Sequence, residues 1–293
     1  MNPIHRMDLS AWQGPFAPGQ QSEAIDALEN GEVLYLPDLP FPLAPEEQTL
    51  LTPVLSDGKA KNISLDPFGK LKHAAVSPAD HARLQAMMQR FASGAVGFIG
   101  DLFPRYAARL ERARTSYRPV EIEGRAAASL LQDDTRLHVD AFPTRPMKKG
   151  RRILRLFTNI NPDGVPRVWH VGEPFEDMAK KIVPKVWEPN AAKNLLLAAL
   201  FVTRGVRSKY DSFMHGLHDE AKLDDEYQKR SPQVAFAFPA GATWLCYTDQ
   251  VMHAALSGQY VLEQTFHLDL EAMAFPERAP FNVLERMTGR ALG

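Results

Sequence analysis

The sequence predicts an α+β protein with a mainly β core, helical elements near the N-terminus and an inserted helical segment. Three observations point there. Residues 78–103 place Leu84, Met87, Met88 and Phe91 at the i, i+3, i+4, i+7 spacing of a buried helical stripe. After Pro119 the texture changes to short runs rich in Val, Ile, Thr and aromatic residues, broken by Pro, Gly and Asn, which read as strands. Between those runs, AAKNLLLAALFVTR and the polar stretch through Tyr227 read as helix.

Taken in order, residues 1–20 are rich in Pro, Gly and Gln and read as an N-terminal arm. Ser22 is positioned to cap a short helix running through Asn30 and ending at Gly31. Val33 to Leu36 reads as a strand, closed by the Pro-rich DLPFPLAP. Residues 21–116 would then form helical and strand support for a core over 117–275 with its insertion at about 175–228, and 276–293 a C-terminal tail, all in one domain. The core strands are expected in RLHVDAF, RRILRLFTNIN, RVWHV, QVAFAF, ATWLCYT and YVLEQTFHLDL.

Composition narrows the function. Hydrophobic residues at 45% and charged residues at 24% suit a well-cored globular protein. Lys+Arg at 34 against Asp+Glu at 35 leaves a net charge of -1, which gives no support to nucleic-acid binding. Cys246 is the lone cysteine, so an intramolecular disulfide and Cys-rich zinc or iron–sulfur sites are excluded. The first residues lack a signal-peptide profile, and no run approaches the ~18 apolar residues that span a bilayer. A reducing cytoplasm is the expected location, with peripheral attachment to a membrane left open.

The informative segment is Leu137-His138-Val139-Asp140. On a strand, His138 and Asp140 point to one side and could reach a single metal ion. A third ligand is offered by His253, which follows the Pro239-Ala240-Gly241 turn, a strand from Thr243 to Tyr247, and Val251-Met252. Two imidazoles and a carboxylate form a facial triad that leaves positions open on Fe(II). His138, Asp140 and His253 are therefore the expected metal ligands and catalytic residues.

Two stretches resemble the Kdo (3-deoxy-D-manno-oct-2-ulosonic acid) hydroxylase family: LHVDAFPTRPMKKGRRILRLFTNINP, residues 137–162, and FPAGATWLCYTDQVMHAALSGQYVLEQTFHL, residues 238–268. The likeness extends over most of the chain. It implies a double-stranded β-helix (jelly roll), an Fe(II) cofactor, 2-oxoglutarate and O₂ as co-substrates, and ascorbate as a stimulant. It also implies hydroxylation at C3 of the Kdo sugar of a lipopolysaccharide precursor, with His138, Asp140 and His253 matching the family's metal triad. No protein partner is evident.

A bound 2-oxoglutarate needs a buried cation for its far carboxylate, best supplied by Arg. Many members of the wider superfamily place it shortly after the distal His, but Tyr260 to Thr265 contains no cation, leaving Gln264 as a neutral candidate there. The strand Arg152 to Asn159 offers an alternative. Alternation puts Arg155, Phe157 and Asn159 on one face and Arg152, Leu154 and Thr158 on the other. Arg155 with Asn159 is the favoured pair and Arg152 the fallback. An anionic sugar near lipid phosphates would draw on Lys61, Arg118, Arg136, Arg145 and Lys148; Arg136 shares parity with His138 and Asp140.

Other features carry less. His215 and His218 stand at i, i+3, but Gly216 between them weakens a helix, and a polar surface turn is expected. His267 reads as a packed histidine, Cys246 as inert packing, and Ser56-x-x-Lys59 as a chance match. The competing functions are an iron oxygenase acting on another small molecule or a protein side chain, and a non-catalytic cupin-like module that binds metal or sugar.

Overall fold

The computed structural model describes residues 2–141, 147, 150–187 and 191–293. Its strands are β1 (Ile4–Arg6), β2 (Val33–Leu36), β3 (Ile63–Leu65), β4 (Leu71–Lys72), β5 (Leu110–Arg118) and β6 (Arg152–Asn159). They continue with β7 (Arg167–Gly172), β8 (Gln233–Phe238), β9 (Thr243–Tyr247), β10 (His253–Ser257) and β11 (Val261–Leu268). The helices are α1 (Pro18–Glu29), α2 (Pro78–Leu102), α3 (Phe175–Ile182), α4 (Ala191–Ala199), α5 (Lys209–Leu223), α6 (Asp225–Arg230) and α7 (Pro280–Thr288). None of them, among the described residues, is long and apolar enough to cross a membrane.

The strands form a large sheet, β1-β2-β9-β6-β11-β5-β3-β4, and a small one, β10-β7-β8. The fold is thus α+β with a large, mainly β sheet. Aromatic side chains fill the space between the sheets: Phe157 of β6 and Trp244 of β9 meet Trp169 of β7 and Phe238 of β8. The other face of the large sheet is covered by α2, whose Leu84, Met87, Met88 and Phe91 are fully buried against Leu154, Leu156 and Phe266.

Three differences from the sequence reading have local causes. Residues 4–6 pair in parallel with β2, so part of the expected arm is an edge strand. Helix α1 starts at Pro18, ahead of Ser22, because Pro18 is preset for a first turn and the Gln20 side chain accepts from the Ala17 amide at 3.0 Å. Strand β5, charged along much of its length, is held between β11 and β3 by register and escapes a search for apolar alternation.

Alternation along β6 holds, and it separates its two arginines. Arg155 faces the gap between the sheets, whereas Arg152 is fully buried on the opposite side. Arg152 Nε donates to Asp249 Oδ2 at 2.7 Å, Nη2 donates to Gln250 Oε1 at 2.6 Å, and the guanidinium lies 3.9 Å above the Tyr247 ring. Its donors are committed, so the fallback role in co-substrate binding is corrected to one in packing. Arg152→Met should destabilise the fold by about 3–5 kcal/mol, because Asp249 stays buried without its partner. Denaturant unfolding checks this; a loss under about 1 kcal/mol would contradict it.

Candidate metal centre and pocket

The site is built where two irregular stretches run beside the small sheet. Strand β10 opens at His253, which pairs with Val171 of β7. On its other side lies His138, in an isolated antiparallel bridge where the sequence suggested a full strand. His138 N donates to His253 O at 3.1 Å, and His253 N donates to His138 O at 2.9 Å. That backbone exchange sets the two imidazoles side by side, with ring centroids 4.6 Å apart. Asp140 N donates to Thr248 O at 2.7 Å, which turns the carboxylate toward the same point. One donor atom from each of His138, Asp140 and His253 lies within 4.8 Å of the others.

The tautomers follow from the partners. His138 Nδ1 is 2.8 Å from Arg136 O, and His253 Nδ1 is 2.8 Å from Val251 O. A carbonyl oxygen can only accept, so each Nδ1 carries the hydrogen and each Nε2 presents a lone pair. Trp169 stacks on His253 at 5.3 Å and fixes the plane of the ring. Asp140 Oδ2 is buried without a hydrogen bond; Arg155 Nη2 approaches to 2.9 Å but is not aligned for one. Two neutral imidazole nitrogens and an under-satisfied carboxylate oxygen suit a divalent iron.

Electrostatics keep these groups ready for a cation. Burial lowers the pKa of both imidazoles, and in His138 the neighbouring His253 lowers it further. Burial alone would raise the Asp140 carboxyl, but Arg155 and the two histidines outweigh it and hold it well below the usual carboxylate range. Burial likewise holds His267 down to about 4. These imidazoles are depressed in the folded state, so the unfolded chain takes up protons first as pH falls. The metal-free protein should therefore lose stability from about pH 6.5 downward, while stability above that pH is unaffected by them. A thermal-melting series from pH 8 to 5 would show the loss; a flat profile would contradict it.

A pocket of about 80 Å³ lies on one side of the triad, between the sheets. Its walls are Phe157 and Trp169, and its cations are Arg118, Arg155 and Arg167. Glu263 of β11 binds two of the three: Arg118 Nε donates to Oε2 at 3.0 Å, and Arg155 Nη1 lies 3.2 Å from Oε1. Arg167 differs. It is buried, donates through Nη1 to the Gly258 carbonyl at 2.7 Å, and forms no ion pair among the described residues. Burial, together with Arg118, lowers its pKa to about 9. Gly258 has φ +101°, and a Cβ there would meet Pro166 O at 2.8 Å, so only glycine lets the β10–β11 turn close over Arg167.

Adjoining it, a wider cavity of about 480 Å³ opens over His138 and Asp140 and shares Arg118, Asp134 and Arg155 with the inner pocket. Helix α5 supplies His218 and Lys222 to its wall, and Lys61 stands at its rim. The ring of His218 is 5.3 Å from that of His138, and Asp219 accepts from or holds both His218 (2.8 Å) and His215 (3.2 Å). The expected polar turn is therefore a helix facing the site. Gly216 is needed there for packing: a Cβ would collide with the Val186 side chain.

The remaining sequence candidates divide. Arg155 and Arg118 line both the inner pocket and the outer cavity, and Glu263 holds both guanidinium groups. Lys61 reaches the outer cavity, paired with Asp134 at 2.6 Å. Arg136 turns away, donating to Lys222 O and reaching Asp225, each at 2.5 Å; only its carbonyl serves the site. The Asn159 amide bonds Val165 O and Phe238 O, and Gln264 bonds Thr115 and Thr265; neither lines the pocket. Arg145 and Lys148 lie outside the described residues. The sequence reading missed Arg167, Trp169, Glu263, His218 and Lys222. For the first two a signal existed: Arg167, Trp169 and Val171 alternate along β7.

A mainly β protein with two imidazoles and a carboxylate beside an arginine-lined pocket has the site of the non-haem iron oxygenases. The model of the 3-deoxy-D-manno-oct-2-ulosonic acid (Kdo) hydroxylase family matches residues 11–291, and the chain belongs to that family. It is similar to a crystal structure of the Kdo hydroxylase KdoO, described as a non-haem Fe(II) α-ketoglutarate-dependent dioxygenase, in complex with cobalt(II). The identity is 48% and the TM-score 0.95, covering 99% of this chain and 97% of that one. KdoO structures with α-ketoglutarate and Fe(III), and with succinate and Fe(III), are similar at 47% identity, TM-score 0.94 and the same coverage. A comparison with curated protein sequences gives no match.

Proposed function

We propose that the protein is an Fe(II)- and 2-oxoglutarate-dependent dioxygenase that hydroxylates C3 of the Kdo sugar in a lipopolysaccharide inner-core precursor. The observation that carries this reading is the His138–Asp140–His253 cluster in an arginine-walled pocket that adjoins a wider open cavity. The chain's two sheets support a double-stranded β-helix in a single domain of 293 residues.

His138 Nε2, Asp140 and His253 Nε2 would hold the iron, and Arg136 O and Val251 O keep both rings in the ligating tautomer. When bound, the iron supplies the oxidative chemistry that couples decarboxylation of 2-oxoglutarate to hydroxylation. The inner pocket takes 2-oxoglutarate: Arg167, free of any carboxylate among the described residues, receives its distal carboxylate. Arg118 and Arg155 add positive potential, while Glu263 holds both in place. Phe157 and Trp169 keep water from the reacting face. The outer cavity receives the sugar.

A lipid-linked substrate also invites contact with the cytoplasmic face of the inner membrane. Exposed Leu195, Leu196, Leu200, Phe201 and Val202, on α4 and just after it, form an apolar surface suited to that contact. The function is tested by incubating the protein with Fe(II), ascorbate, 2-oxoglutarate and Kdo-lipid A. Succinate should form together with a sugar product heavier by one oxygen atom. Succinate without the heavier product would place the substrate elsewhere, and the absence of both would leave only a metal- or sugar-binding module.

A further inference from the structure

The reaction proposed above brings two carboxylate-bearing molecules to one metal, and among the described residues two cations of the site have no carboxylate of their own. One is Arg167, in the inner pocket. The other is Lys222, near the end of α5, in the wall of the outer cavity. Lys222 is 2% exposed; its Nζ donates to the Leu131 carbonyl at 3.1 Å and forms no ion pair among the described residues. The nearby carboxylates are otherwise engaged. Asp134 is paired with Lys61 and Arg125, Asp140 lies against Arg155, and Asp133 accepts from the Thr135 amide and hydroxyl. Burial lowers the pKa of Lys222, as expected of an ammonium that has lost water and gained little in return. A buried charge with one carbonyl for company is costly, and an anionic ligand would relieve that cost.

Substrate chemistry says where such a ligand group must sit. In a 3-deoxy-2-ulosonic acid the carboxylate, C1, is bonded to C2, the direct neighbour of C3. Whatever pose presents C3 to the metal therefore places the carboxylate only two bonds away, in the cavity wall beside the triad. A cation at the distant rim could not reach it. Lys222 lines the same cavity as His138, Asp140 and Arg155, and of its other cationic groups Lys61, Arg118 and Arg155 already hold carboxylates.

We propose that Lys222 is the anchor for the C1 carboxylate of the sugar, and that this contact makes the enzyme selective for the acid form of its substrate. The assignment rests on the Kdo-directed reading given above. It divides the two free cations between the two acids: Arg167 for the co-substrate, Lys222 for the substrate.

The test compares Kdo-lipid A with its C1 carboxamide, which keeps the shape and removes the charge. Both are assayed by oxygen incorporation into the sugar, with the wild-type protein, Lys222→Met and Lys222→Arg, and circular dichroism verifies the fold of each. The wild type should favour the acid by at least about 30-fold in kcat/KM, the range expected for a desolvated charge pair. Lys222→Met should lose that preference, through the acid's KM, and Lys222→Arg should recover part of it. If Lys222→Met lowers acid and amide turnover alike, or keeps the preference, Lys222 is a structural tie to Leu131 and the proposal is overturned. If Lys222→Met does not fold, a wild type or Lys222→Arg indifferent between acid and amide overturns it equally. A wild type that forms succinate but hydroxylates neither compound would overturn the Kdo reading, and the anchor with it.

Discussion

His253→Ala should abolish metal uptake and reduce turnover by at least about 10²-fold, with the fold retained. The bonds that join the His138 segment to β10 are backbone bonds, His138 N to His253 O and His253 N to His138 O, so alanine leaves them in place. What is lost is one Nε2 donor and the ring that stacks on Trp169. His138 keeps its own orientation from Arg136 O, so the site would be two-thirds built and unable to hold iron firmly. Cobalt(II) titration in the visible range would read the metal directly, and circular dichroism the fold. Asp140→Glu should lose turnover to a similar order, because one more methylene moves the carboxylate by over ~1 Å. Product formation at the wild-type rate by His253→Ala would remove it from the ligand set.

Arg167→Met should raise the KM for 2-oxoglutarate by about 30- to several-thousand-fold, the equivalent of about 2–5 kcal/mol for a charge-assisted bond in a desolvated pocket. Cobalt(II) affinity should barely change, since Arg167 has no carboxylate ligand beside it to perturb. Arg155 is wired differently. It touches both Asp140 and Glu263, so Arg155→Ala should weaken metal and 2-oxoglutarate binding together. Measuring both affinities on both variants separates the roles. If Arg155→Ala raises the 2-oxoglutarate KM with metal affinity intact, and Arg167→Met leaves it unchanged, the distal carboxylate belongs to Arg155.

The sequence by itself determined the parts that depend on short-range periodicity. Alternation along β6 separates Arg155 from Arg152, and the stripe on α2 identifies a buried face. The spacing of His138 and Asp140, with His253 after its turn, was enough to name the cluster that the structure brings within 4.8 Å. Rules of this kind work because side-chain direction repeats every two residues in a strand and every 3.6 in a helix.

Only the tertiary structure decided which charges are spent and which are free. Arg118 lines both cavities, but Glu263, from a neighbouring strand, already holds its guanidinium. Arg136 shared parity with the ligands, yet with no regular strand there parity did not apply, and Asp225 pulls its side chain away. Gly216 weakens a helix in isolation, whereas in the fold it allows α5 to pack against Val186 and present the His218 imidazole to His138. Arg167 and Lys222 resemble any other basic residue in a chain with 34 of them. Their distinction is the lack of a carboxylate partner among the described residues, and partners far apart in sequence are set by strand register and helix packing, which local pattern does not encode.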